Sequence, residues 1–174
     1  VSRAPVLQTD RLTLRGQQAS DFEAFAAMWG YPDVTRFIGG KPATREEAWN
    51  RLLRNIGHWE EMGFGPWMVC DRQTGQLLGD VGFCNFQRSM DPPFGDTPEI
   101  GWVMSPAAHG KGLAGEAVAA ALAWADANFE GPRTVCIINP ANTPSMRLAA
   151  RMGFKEFARA QYHGEIVQLE RWRA

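Results

Sequence analysis

The sequence predicts a mixed α/β fold built as a single domain over residues 1–174. Three observations carry this. Short apolar runs that suit strands are interleaved with capped segments of helical periodicity, in the order βααβββαβαββ. That order implies a mixed central sheet of about seven strands flanked by about four helices. Next, three glycines, Gly110, Gly112 and Gly115, crowd the junction between an apolar run and an alanine-rich helical segment. Finally, 45% apolar and 21% charged residues are ordinary for a globular chain of this length with a real core.

The elements follow in order. Arg11–Arg15, RLTLR, alternates and reads as a first strand. Ser20 with Glu23 spells a capping box before Phe22, Phe25, Met28 and Trp29, with Gly30 as the stop. Residues 31–43 are rich in Gly and Pro and read as a loop. Thr44 with Glu47 is a second capping box, opening a helix through Trp49, Leu52, Ile56 and Trp59 that ends near Gly63. Pro66–Cys70, a turn at Asp71–Gly75 and Gln76–Phe86 make a hairpin. Residues 87–97 carry Asp91-Pro92-Pro93 and read as a loop. Pro98–Met104 is the next strand and feeds the glycine turn, after which a helix spans Glu116–Phe129. Arg133–Ile138 is a strand. Thr143-Pro144 starts a short helix that Gly153 ends, with Pro at its first position. Phe154–Ala158 and Glu165–Trp172 close the chain as strands.

Composition excludes several functions. A formal net charge of −1 supplies no basic field for nucleic acid. No stretch approaches the roughly 20 apolar residues that span a bilayer, and none reads as a signal peptide. The expected setting is cytoplasmic, with no membrane. Cys70, Cys84 and Cys136 lie singly in apolar runs, as buried free thiols do. They do not combine with His58, His109 and His163 at zinc-site spacing, so no metal is expected. Most of the seven tryptophans are expected in the core.

The stretch Ser105–Glu116, SPAAHGKGLAGE, carries the chemistry. A glycine-rich turn that opens a helix presents free N–H groups at the positive end of the helix dipole, which suits phosphate oxygens. GKGLAG also spells the dinucleotide fingerprint G-x-G-x-x-G. Its context disagrees. Ser105–His109 separates it from its strand, and the next strand ends in Ile137-Ile138-Asn139-Pro140, with no acid to hold a ribose. A P-loop is excluded too, because no hydroxyl follows Gly110-Lys111.

At these residues the chain resembles the GCN5-related N-acetyltransferases, in their RimJ/RimL-like branch, which acts on ribosomal-protein N-termini. The resemblance spans nearly the whole chain. It rests on Thr9–Arg15, on Glu99–Pro106, on His109–Glu116 as a pyrophosphate loop, and on Asn142–Leu148 closing with Met152-Gly153-Phe154. One departure is Ala107, where the family's wider pattern has Gln or Arg.

The resemblance implies acetyl-CoA as co-substrate, an amine acceptor, the family's fold, and direct attack with both substrates bound. It implies that the amides of His109, Gly110, Lys111, Gly112, Leu113 and Ala114 hold the pyrophosphate, with Gly110 and Gly112 allowing close approach. It implies that Val103 and Met104 contact the pantetheine arm where the strand opens at a bulge, for which Gly101 is suited. Ser145 matches the residue that assists the leaving thiolate, and Asn142 a cofactor contact that equally suits a helix cap. Arg147 is a candidate for the adenosine phosphates. The proton taken from the amine falls to Glu99 first and Asp80 second, with a water chain as the alternative. Phe37, Ile38, Trp59, Phe64 and residues 86–94 are candidates for the acceptor site, and Tyr162-His163-Gly164 for its rim. The acceptor itself, a protein N-terminus or a small amine, is left open, as is a homodimer. Two competing readings are a non-catalytic acyl-CoA module on the same fold and the disfavoured dehydrogenase.

Overall fold

A computed structural model describes residues 3–174. Its sheet has eight strands in the order β1-β2-β3-β4-β5-β6-β8-β7. The strands are β1 (Leu7–Gln8), β2 (Leu12–Gly16), β3 (Pro66–Asp71), β4 (Leu77–Cys84), β5 (Glu99–Met104), β6 (Arg133–Ile138), β7 (Lys155–Gln161) and β8 (Glu165–Trp172). The helices are α1 (Phe22–Trp29), α2 (Pro32–Thr35), α3 (Arg45–Met62), α4 (Leu113–Asn128) and α5 (Thr143–Arg151). Neighbouring strands pair antiparallel, except that β5 and β6 run parallel.

The expected mixed sheet is present, with two additions. Strand β1 is two residues long, too short to show alternation, and is held by pairing Leu7 with Leu14. Helix α2 is a single turn inside the expected loop, opened by Pro32. Both elements exist because tertiary neighbours complete them.

Caps decide the helix ends. The Thr44–Glu47 box forms, Gly63 takes φ +74° after α3, and Gly153 takes φ +91° after α5. The Ser20–Glu23 box does not form. The Arg15 fork holds Asp21 at 2.8 and 3.0 Å, so Asp21 accepts from the Gln18 amide and caps a 3-10 turn before α1. Glu23 turns outward to Arg45 instead. In α5 the cap is Asn142, which makes Thr143, and not Pro144, the first helical residue.

Alternation along the strands puts a core on each face of the sheet. Trp67 and Val69 of β3 and Val81 and Phe83 of β4 pack toward α4 and α5. Met68 and Cys70 of β3 meet α1 and α3 on the other face. Trp59, Trp67 and Trp124 stack edge-on at 5.0 to 5.6 Å between ring centres.

The sheet opens between β5 and β6. These strands are bridged only at Glu99 and Val135. Beyond that point β6 stays paired to β8 along its whole length and diverges from β5. The opening needs no bulge at Gly101, contrary to expectation: β4 and β5 keep an unbroken register through Gly82–Gly101. Divergence of the neighbour, not a kink in β5, frees the strand.

Candidate active site

The backbone of β5 supplies one wall of the opening. The Ser105 amide donates to Leu78 O at 2.8 Å, so the main-chain groups of alternate residues from 105 backward face β4. Those of Trp102 and Met104 therefore face the opening. Met104 O already accepts from His109 Nε2 at 3.0 Å, which pins the following turn to the strand end.

The glycine turn lies beyond. Ala108 and His109 amides are taken by Ser105 O and Pro106 O, and the Glu116 amide by Gly112 O. Between them the amides of residues 110–115 donate to no backbone carbonyl among the described residues. Gly110 and Gly112 have φ of +74° and +73°, the left-handed region that lets these amides turn outward together. The His109 amide is thus spent inside the turn, whereas those of Gly110, Lys111, Gly112, Leu113 and Ala114 are available at the start of α4.

A clamp outside the expected set fixes this turn. Arg11 Nε meets Glu116 Oε1 at 2.8 Å, and its Nη1 donates to Lys111 O at 2.8 Å. The Arg11 amide and Thr9 hydroxyl also donate to Glu116. The first turn of α4 is thereby tied to the turn between β1 and β2.

On the other side of β5 a cavity of about 620 Å³ reaches from the β5–β6 opening to the loop after α2. Glu99, Gly101 and Val103 line it from β5, Asp80 and Gly82 from β4, and Asn142 and Ser145 from α5. The glycine turn is not part of its lining. The pair Gly82–Gly101 sits between Asp80–Val103 and Cys84–Glu99 on the same face, which leaves a floor without side chains. A Cβ built on Gly101 would meet nothing within 4 Å.

Two buried carboxylates face this space in different states. Glu99 is 4% exposed, and both its oxygens accept from Arg88, at 2.7 and 2.8 Å. Burial pushes its carboxyl up and the Arg88 fork pulls it back. Asp80 has no such fork. Gln17 Nε2 donates to it at 2.9 Å and Asn55 Nδ2 at 3.4 Å, and burial pushes its carboxyl up to about 6.

Ser145 accepts from Trp102 Nε1 at 3.2 Å, so its own proton is free to point elsewhere. Asn142 Oδ1 accepts from the Ser145 amide at 3.4 Å, the cap geometry. Arg147 is exposed on α5 and is not part of the cavity lining. Val103 lines the cavity, while Met104 is buried against the α4 core. Of the apolar acceptor candidates, Phe37, Ile38 and Phe86 line the cavity, with Tyr162 and His163. Trp59, Phe64 and Phe94 do not: the first two pack in the aromatic core, and Phe94 is buried near Phe157.

Sequence reasoning missed Arg51 and Asn55, and reached Arg88 only as part of the 86–94 segment, with no role of its own. A signal existed for the first two. Arg51 and Asn55 fall on the helical stripe of Ala48, Leu52 and Trp59, where a polar residue is out of place unless it faces something polar. Arg88 sits in an irregular loop with no such periodicity.

These features fit acetyl-CoA on the chain's own geometry: unpaired amides for a pyrophosphate, an opened strand edge for an amide-bearing arm, and a cavity at its end. Known proteins agree. The acetyltransferase (GNAT) domain model matches residues 11–155. A protein described as a GnaT-family acetyltransferase from Bordetella pertussis is 34% identical, with 96% of this chain and 99% of that one covered and a TM-score of 0.85. An acetyltransferase from Agrobacterium tumefaciens is 27% identical, at 95% and 93% coverage and a TM-score of 0.80. The uncharacterized protein YkkB of Bacillus subtilis is 31% identical over 154 residues, 84% of this chain and 83% of its own. RimL, a ribosomal L7/L12 alpha-N-protein acetyltransferase, shares the fold, with a TM-score of 0.79 at 16% identity and 97% and 94% coverage. The chain therefore belongs to the GNAT acetyltransferase family and is an N-acetyltransferase.

Proposed function

We propose that this enzyme acetylates a primary amine by direct attack with both substrates bound, and that Asp80, in preference to Glu99, takes the amine's proton. The observation that carries the reading is the difference between the two carboxylates. Glu99 spends both oxygens on Arg88, whereas Asp80 faces the cavity with amide donors only and a carboxyl pushed up to about 6. A base must accept a proton near neutral pH, and a desolvated carboxylate does so better than an ion-paired one.

Acetyl-CoA supplies an activated thioester carbon. The amides of residues 110–114 and the main chain of Trp102 and Met104 would hold its phosphates and arm. The acceptor nitrogen gives one proton to Asp80 and forms the N–C bond as the C–S bond breaks. Ser145, with its oxygen already held by Trp102, donates toward the departing sulfur. An unpaired β5 amide would receive charge on the acetyl oxygen.

A covalent acyl-enzyme is disfavoured by the same burial. The Cys84 thiol, in the cavity wall, is pushed up to about 12, and that of Cys136 is also raised. Both shifts oppose the thiolate that attack requires.

The test has two stages. Thermal melting with acetyl-CoA, and with NAD as control, should show stabilisation by acetyl-CoA alone. Release of free thiol across a panel of small amines and peptides should then identify turnover. Stabilisation without release for any amine would favour a non-catalytic acyl-CoA module.

A further inference from the structure

Arg51 is a cavity-lining cation to which the transferase reading gives no task. It projects from the sheet-facing stripe of α3, with its Cζ 3.8 Å from the Trp29 ring centre. Its Nε is buried without a hydrogen-bond partner, and it forms no ion pair with any described carboxylate. Burial works against its charge, and Asp80 and Glu47 are the carboxylates whose fields favour it. A stacked, half-buried guanidinium with no acceptor is costly, and a planar anion is the group that its fork matches.

The neighbouring charges do not cancel it. Arg88 is taken by Glu99. Arg54 gives one bond to Asn55 Oδ1 at 3.2 Å and lies over Phe86. Glu47 closes its own helix cap, and Glu165 pairs with Arg159. Among the described residues, Asp80 and Glu47 are the cavity carboxylates without an arginine partner, and Glu47 is spent on its helix cap. Asp80 feels the field of Arg51, yet the two form no ion pair. The cavity wall thus carries a negative group and a positive group that are not paired with each other.

We infer that the acceptor is a free amino acid or close analogue, with its carboxylate on Arg51 and its nitrogen at Asp80. This rests on the transferase reading above and names the substrate class of the same site. A small ligand that carries both charges supplies a partner to each side chain. A peptide N-terminus has an amide where the carboxylate would be, whose single carbonyl oxygen accepts from Arg51 but brings neither the counter-charge nor the second oxygen of a bidentate pair. A volume of about 620 Å³ lies in the range for small-molecule sites.

The experiment uses thiol release from acetyl-CoA with L-amino acids, each paired with its own carboxamide. At least one acid is expected to exceed its amide in kcat/KM by on the order of 100-fold. Arg51→Gln should collapse that ratio toward one by weakening the acid, and Arg51→Lys should restore part of it. Stabilisation of each variant by acetyl-CoA, matching wild type, shows that the fold and donor site are intact. In parallel, melting in saturating CoA should rise with an amino acid and not with its amide, a readout independent of turnover. An enzyme that uses amides or peptides as well as free acids, or an Arg51→Gln variant that keeps the ratio, overturns this inference while leaving the transferase reading standing. Absence of any stabilisation by acetyl-CoA defeats the transferase reading instead. An amino-acid effect on melting that Arg51→Gln abolishes would still support the Arg51 site in that case.

Discussion

Arg88 grips both oxygens of Glu99, at 2.7 and 2.8 Å, and the pair lies largely out of solvent. Removing one partner leaves the other charge buried and unpaired, which costs far more than the pair contributes. Arg88→Ala should therefore lower stability by about 3 to 5 kcal/mol, read by urea unfolding. Glu99→Gln should keep acceptor turnover within about threefold, because a neutral amide can still accept from Arg88 and the base lies elsewhere. A hundredfold loss in a folded Glu99→Gln enzyme would return the base role to Glu99.

Asp80 gives a prediction in pH. Its carboxyl is raised from 3.8 to about 6, mainly by burial, so the folded state holds this proton more tightly than the unfolded one. Below pH 3.8 the group is neutral in both states. As pH rises through about 6 the buried carboxylate ionises, and the folded state loses on the order of 3 kcal/mol from this group. Asp80→Asn should accordingly raise the melting temperature at pH 8 and have little effect at pH 4. The wild-type rate should rise with pH along a limb centred near 6. Asp80→Asn should cut turnover by about 100-fold or more. A profile flat from pH 5 to 8 in chemistry-limited turnover would falsify this assignment.

Gly101 faces open space in the cavity and has ordinary strand geometry. Gly101→Val should leave the melting temperature unchanged or slightly higher, since a β-branched residue suits a strand. The same change should fill the floor between Asp80 and Glu99 and reduce acceptor turnover at least roughly tenfold. Unchanged kinetics with every acceptor would place the acceptor elsewhere.

Glu116 ties the start of α4 to the turn between β1 and β2 through Arg11 and Thr9, and Arg11 also holds Lys111 O of the glycine turn. Glu116→Ala should cost about 1 to 2 kcal/mol and raise KM for acetyl-CoA with a smaller change in kcat. Gly112→Ala should act in the same direction, because its φ of +73° is strained for a residue with a Cβ. Isothermal titration with CoA checks both, and undiminished affinity in both variants would separate the turn from the donor site.

The Ser105–Glu116 stretch and the strand before it were legible in the sequence because their meaning is local. Glycine at positive φ, a free helix start and a strand of alternating residues all follow from neighbours in the chain. The Thr44–Glu47 box formed for the same reason, while the Ser20–Glu23 box failed because Arg15, six residues before Asp21, had claimed that carboxylate. The carboxylates follow this division. That Glu99 and Asp80 both occupy strands could be read directly. That one is ion-paired and the other is not depends on Arg88 arriving from an irregular loop, and on Gln17 and Asn55 converging from β2's end and α3.

The sequence by itself therefore determined the order of elements, the phosphate-suited turn and the family's fold, since periodicity, caps and glycine conformations act over a few residues. Tertiary structure alone decided where β5 parts from β6, which carboxylate stays without an arginine, and that Arg51 meets Trp29 in the cavity wall. Charge pairing and desolvation depend on distances between groups far apart in the chain, and the packed sheet sets those distances.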